Sequence, residues 1–152
     1  MRDPAKTTRT RVTRRFAADP TSTALLLAGP AAFELWPGAR RVADVSGRLV
    51  VETDLPEGRA VAASVRALPP QRTPSAYVTR FEWIGPGLPA TTGELVLAYA
   101  PTAGGEVWTH AALVLVSSIE QSSALTCHDL EAMATAFLAN LARAAERRSH
   151  AA

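Results

Sequence analysis

A single cysteine, Cys127, stands among the 152 residues. That excludes an internal disulfide and the zinc sites built from several thiolates. No apolar run approaches the roughly 18 residues a membrane helix needs, and the N-terminus lacks a signal-peptide core. The chain reads as soluble and cytoplasmic, with no membrane partner. It has no HExxH, no GxSxG nucleophile elbow and no phosphate-cradling glycine loop. No metal and no cofactor are expected. The net charge is only +2, but it is unevenly placed. Arg2, Lys6, Arg9, Arg11, Arg14 and Arg15 crowd the first fifteen residues against one acid, Asp3. This cluster reads as a solvated arm and an edge strand whose charges discourage aggregation, or as a patch that steers an acidic partner. No aromatic interleaves with the arginines before Phe16, so nucleic acid is not expected.

What is present is a globular balance, 47% hydrophobic and 20% charged, in a length that suits one domain with a core and an internal pocket. Eleven prolines and nine glycines argue against an all-helical bundle. The expected organisation is a basic arm over 1–7, one domain over 8–148 and a tail over 149–152.

A first strand is expected over 8–16, followed by a break at "ADP" with Asp19 as a helix cap. Two short helical pieces, "PTSTALLLAG" and "PAAFELW", each carry proline at the entry, and Trp36-Pro37-Gly38 ends the pair. Strands follow at about 40–46, 48–54, 59–68, 75–84, 92–100 and 106–118. They are separated by Ser46-Gly47, Pro56-Glu57-Gly58, Pro69-Pro70, Gly85-Pro86-Gly87 and Gly104-Gly105. Short connections imply an antiparallel meander. The chain closes with a long helix over 125–148. Leu130, Met133, Ala134, Phe137, Leu138, Leu141 and Ala145 share one apolar face. Asp129 and Glu131 near its start and Arg143, Arg147 and Arg148 near its end complement the helix dipole. Thr126 with Asp129 resembles a capping box. The apolar face must be covered, and the sheet is the only large surface available. A curved antiparallel sheet of about seven strands around one C-terminal helix, with two short helices after the first strand, is the α+β helix-grip architecture. The two helical pieces then sit at the mouth of the hollow.

On strand 75–84, Tyr77, Thr79, Phe81 and Trp83 share one face, and Val78, Arg80, Glu82 and Ile84 the other. The aromatic face is expected inward. On strand 59–68, alternation leaves open whether Ala60, Ala62, Ser64 and Arg66 or Val61, Ala63 and Val65 face in. On strand 106–118, Glu106, Trp108, His110, Ala112 and Val114 oppose Val107, Thr109, Ala111, Leu113 and Leu115. His110 alone among the histidines lies inside an apolar strand. With an ordinary pKa near 6.5 it is a candidate general base if it faces a pocket. His128 reads as a surface residue at a helix start, His150 as tail, and Cys127 as structural.

The element order, with "FELWPGARRVADV", "SVRALPP" and "LAYAPTAGGEVWTHAAL", resembles the bacterial aromatic polyketide aromatase/cyclases of the START-like, helix-grip superfamily. The resemblance implies a pocket that holds a carrier-bound poly-β-ketone, directs an aldol-type ring closure and assists loss of water. It also moves Arg66, before the proline turn, and His110, after Thr109, to the inward face. It makes them the catalytic pair: His110 moving protons, Arg66 holding the oxygen that gathers charge. Trp36, Ser64, Tyr77, Phe81, Trp83, Tyr99, Trp108 and Phe137 would line the substrate. An acyl carrier protein would be the macromolecular partner, met by the basic N-terminal residues, and the protein a monomer or a homodimer. One departure stands out: Phe137 occupies the place where some members carry a helix carboxylate. Proton transfer would then fall to water with Thr135 or Asn140, or binding would remain without catalysis. The alternatives are a non-catalytic carrier of a hydrophobic small molecule and a protein-interaction module using the basic face. An outward His110 favours either of those two.

Overall fold

The computed structural model describes residues 7–28, 30–45, 48–67, 70–84, 91–102, 104–118 and 126–150. The turns expected at Ser46-Gly47, Gly85-Pro86-Gly87 and Pro69 lie outside these residues, as do Arg2 and Lys6 of the basic arm.

Strand β1 (Thr7–Phe16) leads to α1 (Pro20–Leu27) and a 3-10 turn at Pro30–Leu35. Then come β2 (Arg40–Val45), β3 (Arg48–Asp54), a second 3-10 turn at Pro56–Gly58, β4 (Ala60–Ala67), β5 (Gln71–Arg72), β6 (Ala76–Ile84), β7 (Thr91–Pro101), β8 (Val107–Ser118) and α2 (Cys127–His150). The strands form one antiparallel sheet in the order β1-β8-β7-β6-β4-β3-β2, with β5 beside β6 off this path. Every expected strand is present within a residue or two; the two-residue β5 is the addition. The second helical piece is 3-10 rather than α. It is short and ends against Trp36-Pro37, where proline disfavours helical backbone in the residue before it.

Capping sets the helix starts. The backbone N–H of Thr21 donates to Asp19 Oδ1 at 2.7 Å, and Pro20 takes the first helical position, where no N–H is needed. At α2 the expected box forms reciprocally: Thr126 N donates to Asp129 Oδ2 at 3.0 Å, and Asp129 N to Thr126 Oγ1 at 3.1 Å.

The core lies between the sheet and α2. Leu130, Met133, Ala134, Phe137, Leu138, Leu141 and Ala145 of α2 are all buried, joined by Ala142. They pack with Leu95 and Leu97 of β7, Ala111, Leu113 and Leu115 of β8, and Phe16 of β1. Fully burying a leucine or phenylalanine side chain is worth about 1.5–3 kcal/mol, so this contact decides which face of each strand turns in. Among the described residues, no helix is long and apolar enough to cross a membrane.

Candidate functional site

Register settles the faces that alternation left open. On β8, Ala111 stands opposite Leu97 and Leu113 opposite Leu95, so 109, 111, 113, 115 and 117 face α2. Thr109 is therefore inside, where its hydroxyl donates to the Ala18 carbonyl at 2.6 Å. His110 lies in the outer row, between Arg15 of β1 and Ala98 of β7. The expectation of an inward His110 is corrected. Both faces of "VWTHAALVLV" are nearly equally apolar, and a shift of one residue exchanges them completely. Trp108 is corrected in the same way: it stands in the outer row, half-buried, and its Nε1 donates to Glu106 Oε2 at 3.3 Å.

On β4, Val61 packs against the core, and Val65 and Ala67 stand opposite the buried Trp83 and Phe81. Ser64 and Arg66 fall in the alternate row, opposite Ile84 and Glu82. Their side chains lie outside the described ones.

Four of the aromatics expected to line a pocket pack against one another. Trp36, Phe81, Trp83 and Phe137 converge between sheet and helix. The Trp36 ring centroid lies 4.3 Å from Phe137, 4.4 Å from Trp83 and 5.6 Å from Phe81. Two local devices place it. The turn after Trp36 is pinned to β3, with the Pro37 carbonyl accepting from Asp54 N at 2.8 Å and Thr53 Oγ1 at 2.7 Å. Gly38 there has φ +58°, and a Cβ would lie 1.9 Å from Asp54 Oδ2, so only glycine fits. From the other side, Asn140 of α2 donates through Nδ2 to the Leu35 carbonyl at 2.8 Å. Asn140 thus ties the preceding turn to the helix, whereas Thr135 is exposed. Phe81 lies over Gly93 of β7, its register partner; a Cβ at Gly93 would sit 2.2 Å from the ring.

Exposure rises along the inner row toward the α1 end. Leu97 is 1% exposed, but Tyr99, next in the same row, is 49% exposed. Tyr77, half-buried, is packed against the core. Both phenols meet Thr21 of α1: its Oγ1 lies 3.0 Å from the Tyr77 hydroxyl and 3.2 Å from that of Tyr99. The first helical piece is thereby joined to the ends of β6 and β7. Thr21 gave no signal in the sequence, because its role depends on strands far along the chain.

On the inner rows of β6, β7 and β8 the only titratable side chains are the two tyrosines; the other polar ones are hydroxyls. Thr91 Oγ1 donates to Ser117 at 2.9 Å. Thr79 is 5% exposed and makes no hydrogen bond among the described residues.

Charge is concentrated elsewhere. Asp129, 0% exposed, accepts two bonds from Arg59, at 3.2 Å from Nη1 and 2.5 Å from Nη2. Burial alone would push its carboxyl up. The Arg59 hydrogen bonds, those of Thr126 and the guanidinium charge outweigh that, and the group sits below its usual range. This clasp joins the second 3-10 turn to the start of α2 and is structural. On the outer face, a groove of about 600 Å³ runs over Val114, Val116 and Thr92 between Arg9 and the Arg80–Glu94 ion pair, whose N–O distance is 3.1 Å. It lies over the outer row of the sheet, and Gly93 and Phe81 also line it. Cys127 and His128 are exposed at the start of α2.

No protein-family profile matches the sequence, and no curated protein matches it. Solved structures do match in fold. The aromatase/cyclase ZhuI from Streptomyces sp. R1128 is 18% identical, with 95% of this chain covering 96% of that one at a TM-score of 0.61. The di-domain aromatase/cyclase BexL of the BE-7585A biosynthetic pathway is 15% identical at 0.58. This chain covers only 52% of BexL, about half its length. A conserved protein from Geobacillus kaustophilus is 9% identical at 0.62, with 92% of this chain covering 96% of it. The chain thus has the helix-grip fold of these structures, two of which are aromatase/cyclases. At these identities the likeness is one of fold.

Proposed function

We propose that the protein holds a flat, hydrophobic small molecule of the polyketide type between its sheet and α2, entering past α1. The observation that carries this reading is the aromatic cluster of Trp36, Phe81, Trp83 and Phe137, on a sheet face whose inner row ends at the exposed Tyr99. Aromatic walls with a few placed polar groups are what small-molecule sites are made of. With no carboxylate, imidazole or guanidinium on the described inner rows of β6, β7 and β8, the protein acts by confinement. It holds the ligand in one folded register and keeps water away. Titration of tryptophan fluorescence with a naphthalene-type ligand is the test: saturable quenching that disappears in Trp36→Ala supports the reading. An unchanged signal from a folded protein removes it.

A second reading, a cytoplasmic polyketide cyclase/aromatase acting on a carrier-bound poly-β-ketone, is favoured by the fold likeness to ZhuI and BexL across 95% of this chain. Here ring closure would be directed by shape, with tyrosine hydroxyls as oxygen donors and without His110. Arg9, Arg11, Arg14 and Arg15 of β1 have no carboxylate partner among the described residues and suit an acidic carrier protein. Comparing the products of such a substrate with and without the protein decides this reading: identical product mixtures sink it.

A further inference from the structure

We infer that the inner face carries a subsite for a neutral oxygen, a ketone or hydroxyl on the bound molecule, formed by Thr79 together with the tyrosine pair Tyr77 and Tyr99. This rests on the reading of an interior ligand and deepens it by stating what that ligand must carry besides its rings. Three features converge. Thr79 is buried on the row that faces α2, opposite Leu95, and its hydroxyl has no hydrogen-bond partner among the described residues. Buried hydroxyls are nearly always bonded, and one left unbonded marks a place where something else supplies the bond. Thr91, Ser117 and Thr109 on the same face are all bonded, so Thr79 is not following a local habit.

Next, Thr21, Tyr77 and Tyr99 have one O–H each but form only two hydrogen bonds among themselves. Whichever atoms donate, one O–H remains for another acceptor. Finally, the spacing is right. Thr79 lies two residues from Tyr77 and two from Phe81 on one face of β6, about 7 Å in each direction. Phe81 is already in ring contact with Trp36, at 5.6 Å between centroids. A ligand ring that displaces this contact would therefore present an oxygen to Thr79, and a longer molecule a second one to the tyrosines. The groups are uncharged donors, so they suit a carbonyl or hydroxyl; nothing in this set would balance a carboxylate.

The test uses two probes of nearly equal shape, 2-acetonaphthone and 2-ethylnaphthalene, titrated against tryptophan fluorescence. The wild type should bind the ketone about ten-fold tighter than the hydrocarbon, the value of one well-made hydrogen bond. Thr79→Val should erase that difference and leave hydrocarbon affinity unchanged. It should also raise the melting temperature of the free protein by about 2–4 °C, because an unbonded buried hydroxyl is replaced by a methyl. Tyr77→Phe with Tyr99→Phe should reduce affinity for a longer probe, a 2-naphthyl 1,3-diketone, while sparing 2-acetonaphthone. Equal binding of ketone and hydrocarbon by the wild type, or a lower melting temperature in Thr79→Val, overturns the subsite while the interior reading stands. Failure of both probes to bind overturns both.

Discussion

The two faces of the same strands could hardly differ more. On β6 to β8 the inner rows hold aromatics, leucines and hydroxyls, packed on α2. The outer rows hold Arg80, Glu82, Glu94 and His110, with Arg9, Arg11 and Arg15 of β1 beside them; Arg14 falls in the other row of β1, at an exposed position opposite Ala111. Residues one position apart thus meet two different solvents. Charged and imidazole groups stay where water can reach them, and the interior keeps neutral groups because an unpaired buried charge is costly. On the proposed reading, an interior made this way would hold a ligand by shape and neutral hydrogen bonds.

The contrast can be broken at several points. The largest effect is expected inside: Trp36→Ala removes the ring at the centre of the wall and should cost about 3–5 kcal/mol in urea unfolding, together with all probe quenching. A near-native midpoint would mean that the wall is not part of the core. Gly93→Ala comes next. Its methyl must displace the Phe81 ring from 2.2 Å, at about 3 kcal/mol, the upper end of overpacking, and probe affinity should fall with it.

Asp129→Asn tests a buried carboxylate held by an exposed guanidinium, that of Arg59. It should cost about 2 kcal/mol by loss of the charged bonds to Arg59 and a weakened cap. Because the carboxyl of the folded protein lies below its usual range, its contribution is fully present above the unfolded value near 3.9. It is lost as pH falls through the lower folded value. Acid titration of the unfolding midpoint should therefore be flatter in the variant below pH 4; parallel curves would remove Asp129 from the account. The smallest effect belongs to the outer face. His110→Ala should change stability by no more than about 0.5 kcal/mol and leave probe affinity and product distribution untouched. A tenfold loss of either would return His110 to the interior and undo the assignment of faces.

Much of this was legible beforehand. Asp19 and the Thr126/Asp129 box start their helices where expected, because capping is a contact within three residues. The apolar stripe of α2 is buried in full, because a period of 3.6 leaves only one face to hide. The rings of β6 turn inward with Trp36 and Phe137, since its other face carries Arg80 and Glu82. β8 was different. Val114 and Val116 on one face match Leu113 and Leu115 on the other, so neither face declared itself, and the resemblance pointed His110 to the wrong side. Arg59 as the partner of Asp129, Thr21 as the link between two tyrosines, and Gly93 beneath Phe81 left no trace either. Each joins residues from distant parts of the chain.

Local patterning alone therefore settled which elements form, where they begin and that one helix must lie on one sheet, since periodicity and caps act over a single turn or pleat. Which side of β8 meets that helix was decided only when β1 and β7 locked it in register. Strand pairing is non-local, and in a strand apolar on both faces nothing else distinguishes inside from out.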